Sequence, residues 1–355
     1  MERIALFLPN WIGDVVMATP AIRAVREHFP RAELIAVCKP YVGETLAGAP
    51  WFERTVFYGK GGPREQRFWS VVRELRHAPL DAAVLFPNSF RAALLAKLGG
   101  ARQIVGFARY GRDPLLSKRL YAERGSDGSF RPVPAIDDYN RIVGLLGVPD
   151  PGHRMELFTT AGDEASAEET WTRLGLQSYR RVIGLNPGGA FGTSKHWPTA
   201  HFAELARLLS VRGYGVLVLC GPGEREVARE IAAQAGVASL ADSPLSLGLT
   251  KAIVRRVAAL VTTDSGPRHF AAAFDRPVVS LFGPTHIGWT ETYFDKAVHL
   301  QKPVPCGPCQ LRICPLDHRC MTTLTPAEVF DATLNLLRTE DQQDADRHPR
   351  VRQAG

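Results

Sequence analysis

Short apolar, β-rich runs alternate with helical segments along this chain, and the alternation occurs twice. The first half reads Ile4–Leu8, then a helical stretch Val15–His28, Leu34–Val37, a helical stretch Arg64–Arg76, Ala82–Phe86 and a helical stretch Ser89–Leu98. The second half reads Val182–Leu185, Phe202–Leu209, Val216–Cys220, Glu224–Ala235, Thr250–Arg256, Leu260–Thr263 and Pro277–Phe282. Strands separated by helix-length segments must cross over to run parallel, and a parallel sheet needs helices on both faces. Two doubly wound α/β domains in tandem are therefore expected. A length of 355 residues fits two domains of ordinary size. The predicted boundary lies between residues 165 and 166, in the polar, turn-rich stretch after Asp150-Pro151-Gly152-His153. The second domain is predicted to end at residue 338, leaving 339–355 as a solvated polar tail without an apolar face. Residues Arg109–Ala135, rich in Arg, Gly, Ser and Pro, read as a long mobile loop.

Composition excludes several classes. Hydrophobic residues at 45% and charged residues at 22% are ordinary for a folded soluble chain, which speaks against disorder and fibrous repeats. No apolar run reaches the ~18 residues of a membrane helix, and the N-terminal run is broken at Pro9-Asn10 and Asp14. A cytoplasmic location with reduced cysteines is expected. The net charge of +7 favours an anionic partner and does not by itself distinguish nucleic acid, which is not the expected partner, from phospholipid headgroups or a phosphorylated small molecule; contact between basic helical stretches and a membrane surface is compatible with it.

Ligands of parallel sheets gather at the carboxyl ends of the strands, so the loops there carry the chemistry. The first, Pro9-Asn10-Trp11-Ile12-Gly13-Asp14, sets an acid at a helix start. Asp14 reads either as a helix cap or as a general base for an acceptor hydroxyl. The second, Asn186 to Pro198, holds Gly188, Gly189 and Gly192 followed by Thr193, Ser194 and Lys195. It reads as a diphosphate cradle or as a plain glycine-rich connector, and it lacks the GK[ST] ending of a P-loop. The third, Cys220-Gly221-Pro222-Gly223-Glu224-Arg225-Glu226, offers an acid for ribose hydroxyls, or acids that merely complement a helix dipole. The fourth runs Thr262-Thr263-Asp264-Ser265-Gly266-Pro267-Arg268-His269. Proline in the first helical turn loses no hydrogen bond, and Gly266 admits close approach of an anion to the helix start. His269 reads equally as an anion contact or as a packed structural side chain.

A further motif, Cys306-x2-Cys309-x4-Cys314-x5-Cys320 with His318 as an alternative ligand, gathers four of the six cysteines within fifteen residues. Its spacing suggests a closed structural zinc site; iron–sulfur ligation, a local disulfide and reduced thiols are the other readings.

Taken together, Trp11-Ile12-Gly13-Asp14-Val15-Val16-Met17-Ala18-Thr19-Pro20-Ala21-Ile22-Arg23, the Pro187-Gly188 loop ending Lys195-His196-Trp197-Pro198, and Asp264-Ser265-Gly266 with His269 resemble the ADP-heptose:lipopolysaccharide heptosyltransferases, most closely the heptosyltransferase II branch. The resemblance spans about residues 1 to 335. It implies a GT-B glycosyltransferase, two Rossmann-like doubly wound domains facing a cleft, with acceptor on the first domain and ADP-sugar on the second. It implies inverting transfer of heptose from ADP-L-glycero-D-manno-heptose to the lipopolysaccharide inner core, with no cofactor needed for catalysis. Position by position, Asp14 is similar to the general base and Lys195 to the lysine that neutralises the donor diphosphate. Asp264 is similar to the acid on the heptose, and Ser265 and Gly266 to phosphate donors. Gly188, Thr193, Ser194, Glu224 and His269 complete the expected donor site, with Glu226 the alternative to Glu224. The chain departs from the heptosyltransferase II pattern at Phe191, where that branch carries an acid. A nucleotide-sugar 2-epimerase-like isomerase and a silent nucleotide-sugar binder are the competing classes.

Overall fold

The computed structural model describes residues 1–59 and 62–347, with side chains through residue 342 in the last helix. The chain divides into two compact units. One is Met1–Thr160 with Gly288–Tyr293, and the other is Ala161–Ile287 with the chain from Phe294 onward.

The first unit holds a six-stranded sheet: β1 (Arg3–Phe7), β2 (Glu33–Cys38), β3 (Arg54–Phe57), β4 (Leu80–Leu85), β5 (Ala101–Phe107) and β6 (Lys118–Leu120). Its order is β3-β2-β1-β4-β5-β6 and every pairing is parallel. Helices α1 (Ile12–Met17), α2 (Thr19–His28), α3 (Pro40–Thr45), α4 (Phe68–Leu75), α5 (Phe90–Leu98) and α6 (Ala135–Gly144) accompany it. Every residue of β1 is buried, as a central strand covered on both faces requires.

The second unit begins with α7 (Ala161–Arg173) and continues β7 (Val182–Asn186), α8 (Thr199–Val211), β8 (Gly215–Val218), α9 (Arg225–Ala235), β9 (Ala238–Ser239), α10 (Leu247–Arg256), β10 (Ala259–Thr263), α11 (Gly266–Ala273), β11 (Val278–Phe282), β12 (Ala297–Gln301), α12 (Arg319–Thr322) and α13 (Pro326–Arg347). The order β12-β11-β10-β7-β8-β9, again all parallel, repeats the winding of the first sheet. In each sheet the winding reverses once, between β1 and β4 and between β7 and β10. Those switch points are where a doubly wound sheet opens a crevice for ligand.

Four local differences from the sequence reading have physical causes. The stretch expected as one helix over 15–28 is two, parted at Ala18. Pro20 has no N–H to give Val16, and the Thr19 hydroxyl donates to that carbonyl instead at 2.7 Å. The loop over 109–135 contains the edge strand β6, too short at three residues to show periodicity. Residues 161–165, expected in the first domain, open α7. That helix belongs to the second unit because Arg256 reaches Glu164 at 3.1 Å and Glu168 at 2.6 Å. The expected tail continues α13 to Arg347, where Arg181 pairs with Asp341 and Lys296 approaches Glu340 at 3.6 Å. The rest of that tail, residues 348–355, lies outside the described residues.

Candidate active site

At the β7/β10 switch point, side chains lace the two strand ends together. Asn186, the last residue of β7, donates from Nδ2 to Thr262 Oγ1 at 2.9 Å and to Ser265 Oγ at 3.0 Å. Thr263 Oγ1 donates to the Gly188 carbonyl at 2.8 Å, fixing the start of the glycine-rich loop. The loop then tightens into a single 3₁₀ turn, Thr193–Lys195, which aims the lysine inward.

Lys195 Nζ donates to Asp264 Oδ2 at 2.5 Å and to the Asp264 carbonyl at 3.1 Å. On the other side, Arg268 Nη1 stands 3.3 Å from Oδ1, and Thr285 Oγ1 donates to Oδ2 at 2.8 Å. All three charged residues are buried, Asp264 at 6% exposure, Lys195 at 8% and Arg268 at 2%. Burial alone would raise the carboxyl's pKa. The attraction of Lys195 and then Arg268 outweighs it and holds Asp264 at about 2. Asp264 is thus a permanent anion, a charge anchor and no proton acceptor at neutral pH. The sequence reading gave Lys195 and Asp264 separate ligand groups; the structure pairs them with each other. Arg268 and Thr285 were missed, and the one available signal was that Arg268 lies one helical turn beyond Asp264.

Phe191 lies between two cations, with Lys195 Nζ 4.6 Å and the Arg312 guanidinium 5.6 Å from its ring centroid. An acid here would have competed with Asp264 for Lys195, whereas the aromatic face attracts the cations without displacing it.

Glu224 belongs to the same neighbourhood. Its Oε2 accepts the Gly221 N–H at 2.8 Å, and a Cβ added at Gly188 would sit 2.0 Å from its carboxyl carbon. Gly188 is glycine because that carboxylate occupies the space. Glu226 points elsewhere, 89% exposed and paired with Arg229 at 2.5 Å. His269 is buried, and burial with the neighbouring Arg268 pushes its pKa far down, so the ring is neutral; Nδ1 has no hydrogen-bond partner among the described residues.

Ser265 is the N-cap residue of α11 and Gly266 its first residue, next to Asp264. Thr193 is exposed. Ser194 is buried and committed to the cysteine-rich segment: its N–H donates to the Arg312 carbonyl at 3.1 Å and its hydroxyl to the Leu311 carbonyl at 2.5 Å.

In the first unit, Asp14 stands in the first turn of α1, half-buried; the N-cap is Trp11, so Asp14 does not fill the cap position expected of it. Its charge reaches the buried Tyr139 of α6, whose pKa burial raises and Asp14 raises further.

The cysteine cluster is only partly assembled. Cys306, Cys309, Cys314 and Cys320 line one small cavity with Asp317 and His318. Yet among the described residues no group of three His, Cys, Asp or Glu side chains is arranged to hold a metal ion. His318 Nε2 is turned to the Ser194 carbonyl at 2.5 Å, Cys306 and Cys309 are exposed, and Cys320 is buried. Burial and then the neighbouring thiols push the Cys320 pKa up. The closed zinc site expected from spacing is therefore not formed among the described residues, with His318 committed to Ser194 and Cys306 and Cys309 facing solvent.

Residues 68–319 match the family model of glycosyltransferase family 9 (heptosyltransferase). The chain belongs to glycosyltransferase family 9. Among curated relatives it is 27% identical to lipooligosaccharide heptosyltransferase 2 of Campylobacter jejuni over 95% of this chain and 98% of the relative. It is 28% identical to lipopolysaccharide heptosyltransferase 2 of Escherichia coli over 83% of this chain and 86% of that one. The solved structure of the E. coli ADP-heptose lipopolysaccharide heptosyltransferase II superposes with a TM-score of 0.76 at 25% identity, covering 96% of this chain and all of that one. The expected GT-B-type fold and glycosyltransferase class hold for this family 9 chain. No helix among its described residues is long and apolar enough to cross a membrane.

Proposed function

We propose that this family 9 glycosyltransferase moves a heptose from ADP-L-glycero-D-manno-heptose to the inner core of lipopolysaccharide, with inversion at the anomeric carbon. The observation that carries the donor half is the buried Lys195–Asp264–Arg268 cluster beside Gly188 and Glu224, at the β7/β10 switch point. Two cations on one carboxylate leave the cluster with excess positive character, suited to a diphosphate. In this reading Ser265 and Gly266, at the start of α11, add the positive end of a helix dipole. Glu224, held against Gly188, receives the ribose hydroxyls. The neutral His269 and Thr193 line the remaining donor site.

Asp14 is the base. The acceptor hydroxyl oxygen forms its bond to the anomeric carbon while the bond to the diphosphate oxygen breaks on the opposite face. The hydroxyl proton passes to the Asp14 carboxylate, and ADP departs with the bonding pair. Lys195 and Arg268 stabilise the charge that grows on the diphosphate, which is electrostatic preorganisation without covalent or metal chemistry. The names of the curated relatives support heptose and this acceptor, and the name of the similar E. coli structure supports the ADP-heptose donor. The work is placed at the cytoplasmic face of the inner membrane, where a lipid-anchored acceptor is presented.

The test is incubation with ADP-heptose, with and without heptose-deficient core acceptor, reading ADP release and product mass. Acceptor-dependent release with a product heavier by one heptose is expected. Conversion without acceptor would make the protein an isomerase, and binding without turnover a silent module; either overturns the proposal.

A further inference from the structure

The six cysteines divide by their surroundings. Cys38, closing β2, and Cys220, just after β8, are buried, and burial pushes their thiols up to about 12 and about 11, so both stay protonated and inert. The other four line one cavity of the second unit, where Cys306 and Cys309 are exposed, Cys314 is partly covered and Cys320 is buried. Exposure therefore picks out one pair. Cys306-Gly307-Pro308-Cys309 is a Cys-x-x-Cys motif, a spacing at which two sulfurs can bond to each other. The Gly307 N–H donates to the Val304 carbonyl at 3.0 Å, and a Cβ at Gly307 would stand 2.9 Å from the Val304 side chain, so the chain is folded tightly where the first cysteine sits.

The wall of this cavity reaches the charge cluster from two sides. It includes Ser194 and Pro284, the residues immediately before Lys195 and Thr285. Those two side chains are the ones that donate to Asp264 Oδ2, at 2.5 Å and 2.8 Å. The attachments are through the backbone. The Gln310 N–H, next to Cys309, donates to the Pro284 carbonyl at 2.8 Å, and the Ser194 N–H donates to the Arg312 carbonyl at 3.1 Å. Cys320 is seated on the same loop, since a Cβ at Gly283 would lie 3.1 Å from its sulfur. A displacement of Cys309 is thus one hydrogen bond away from the residue before Thr285, and three residues along the chain it meets the residue before Lys195.

We propose that Cys306 and Cys309 form a redox switch: hydrogen peroxide oxidises them to a disulfide, and closing that bond shifts residues 310–312 and with them Lys195 and Thr285. The thiolate of one cysteine attacks a peroxide oxygen and breaks the O–O bond, leaving a sulfenic acid and one water. The second sulfur attacks the first, forms the S–S bond and expels the other water. Two thiols give up two electrons and two protons, and the peroxide takes up both. The effect on ligand rests on the reading that Lys195 faces the donor diphosphate; the formation of the bond does not.

The experiment exposes the reduced full-length protein to hydrogen peroxide and maps its thiols by peptide mass. Four of the six thiols should remain, with Cys306 and Cys309 joined. Amide hydrogen exchange over residues 188–197 should change on oxidation, and ADP should bind about 10-fold more weakly, the scale of one charge-assisted hydrogen bond. Dithiothreitol should reverse all three effects. Cys306→Ser and Cys309→Ser should bind ADP within about 2-fold of the reduced wild type with or without peroxide, because these thiols lie on the surface. Cys314→Ser should respond as the wild type does. Peroxide that leaves Cys306 and Cys309 unlinked, a disulfide without changed exchange over 188–197, or a Cys314→Ser variant that no longer responds overturns the inference. So does a metal ion held by the four sulfurs that keeps them inert to peroxide. Reduced protein that fails to bind ADP breaks the donor reading alone, because thiol mapping and amide exchange judge the switch without a nucleotide.

Discussion

Two aspartates stand at the two switch points, and their surroundings are opposite in kind. Asp264 is buried and held by Lys195, Arg268 and Thr285, its charge locked on. Asp14 is half-buried in the first turn of a short helix, with Tyr139 as a neighbour it disfavours from ionising. A carboxylate kept at about 2 by two cations has no appetite for a proton, whatever its distance from substrate. Under the proposed mechanism the pair divides the labour, with Asp264 fixing a field and Asp14 removing the proton.

The sharpest way to break that division is Asp14→Ala. Turnover should fall by about 10²–10⁴-fold, the usual worth of a general base, while ADP-sugar affinity measured by calorimetry stays within about 2-fold. Near-normal turnover would return Asp14 to a structural role. Next comes Lys195→Ala, which strips one cation from a buried carboxylate and should cost about 3 kcal/mol in urea unfolding, with ADP affinity falling as well. Adding Asp264→Asn to that variant should restore part of the stability, because the orphaned charge is removed.

A smaller effect comes with acid. The folded pKa of Asp264 lies below its unfolded value of ~3.9, so its contribution is fully present above that pH and is lost as the pH falls toward about 2. Unfolding free energy should drop by about 2.5 kcal/mol across that window, and Asp264→Asn should flatten this part of the profile. The smallest change is expected at Cys309→Ser, within about 0.5 kcal/mol, since the exposed thiol closes no metal site. One zinc per chain in the purified protein, lost in this variant together with stability, would contradict that contrast.

Periodicity made both sheets legible, because buried parallel strands and crossover helices imprint their patterns over many residues. The residues of the proposed donor site were legible as types on loops, since glycines, a lysine and an acid recur at the carboxyl ends of the strands where ligands of parallel sheets gather. Their pairing was not. Lys195 meets Asp264 across 69 positions and Asn186 meets Ser265 across 79, distances that only the β7–β10 adjacency collapses. The preference for Glu224 over Glu226 in the proposed donor site likewise rests on a space left open by Gly188, a fact with no trace in local spacing. The cysteine motif shows the converse. Its spacing is strong and purely local, yet spacing does not bring the sulfurs to a common centre.

The contacts of Ser194 give that cysteine-rich segment a different meaning. Arg312 and Leu311 receive both hydrogen bonds of Ser194, His318 takes up its carbonyl, and a Cβ at Gly192 would come within 2.2 Å of the Arg312 oxygen. The segment is thus a splint strapped along the outside of the glycine-rich loop, one residue from Lys195. Its rigidity is lent to the lysine, and any chemistry that reshapes the splint is delivered mechanically to the ammonium group.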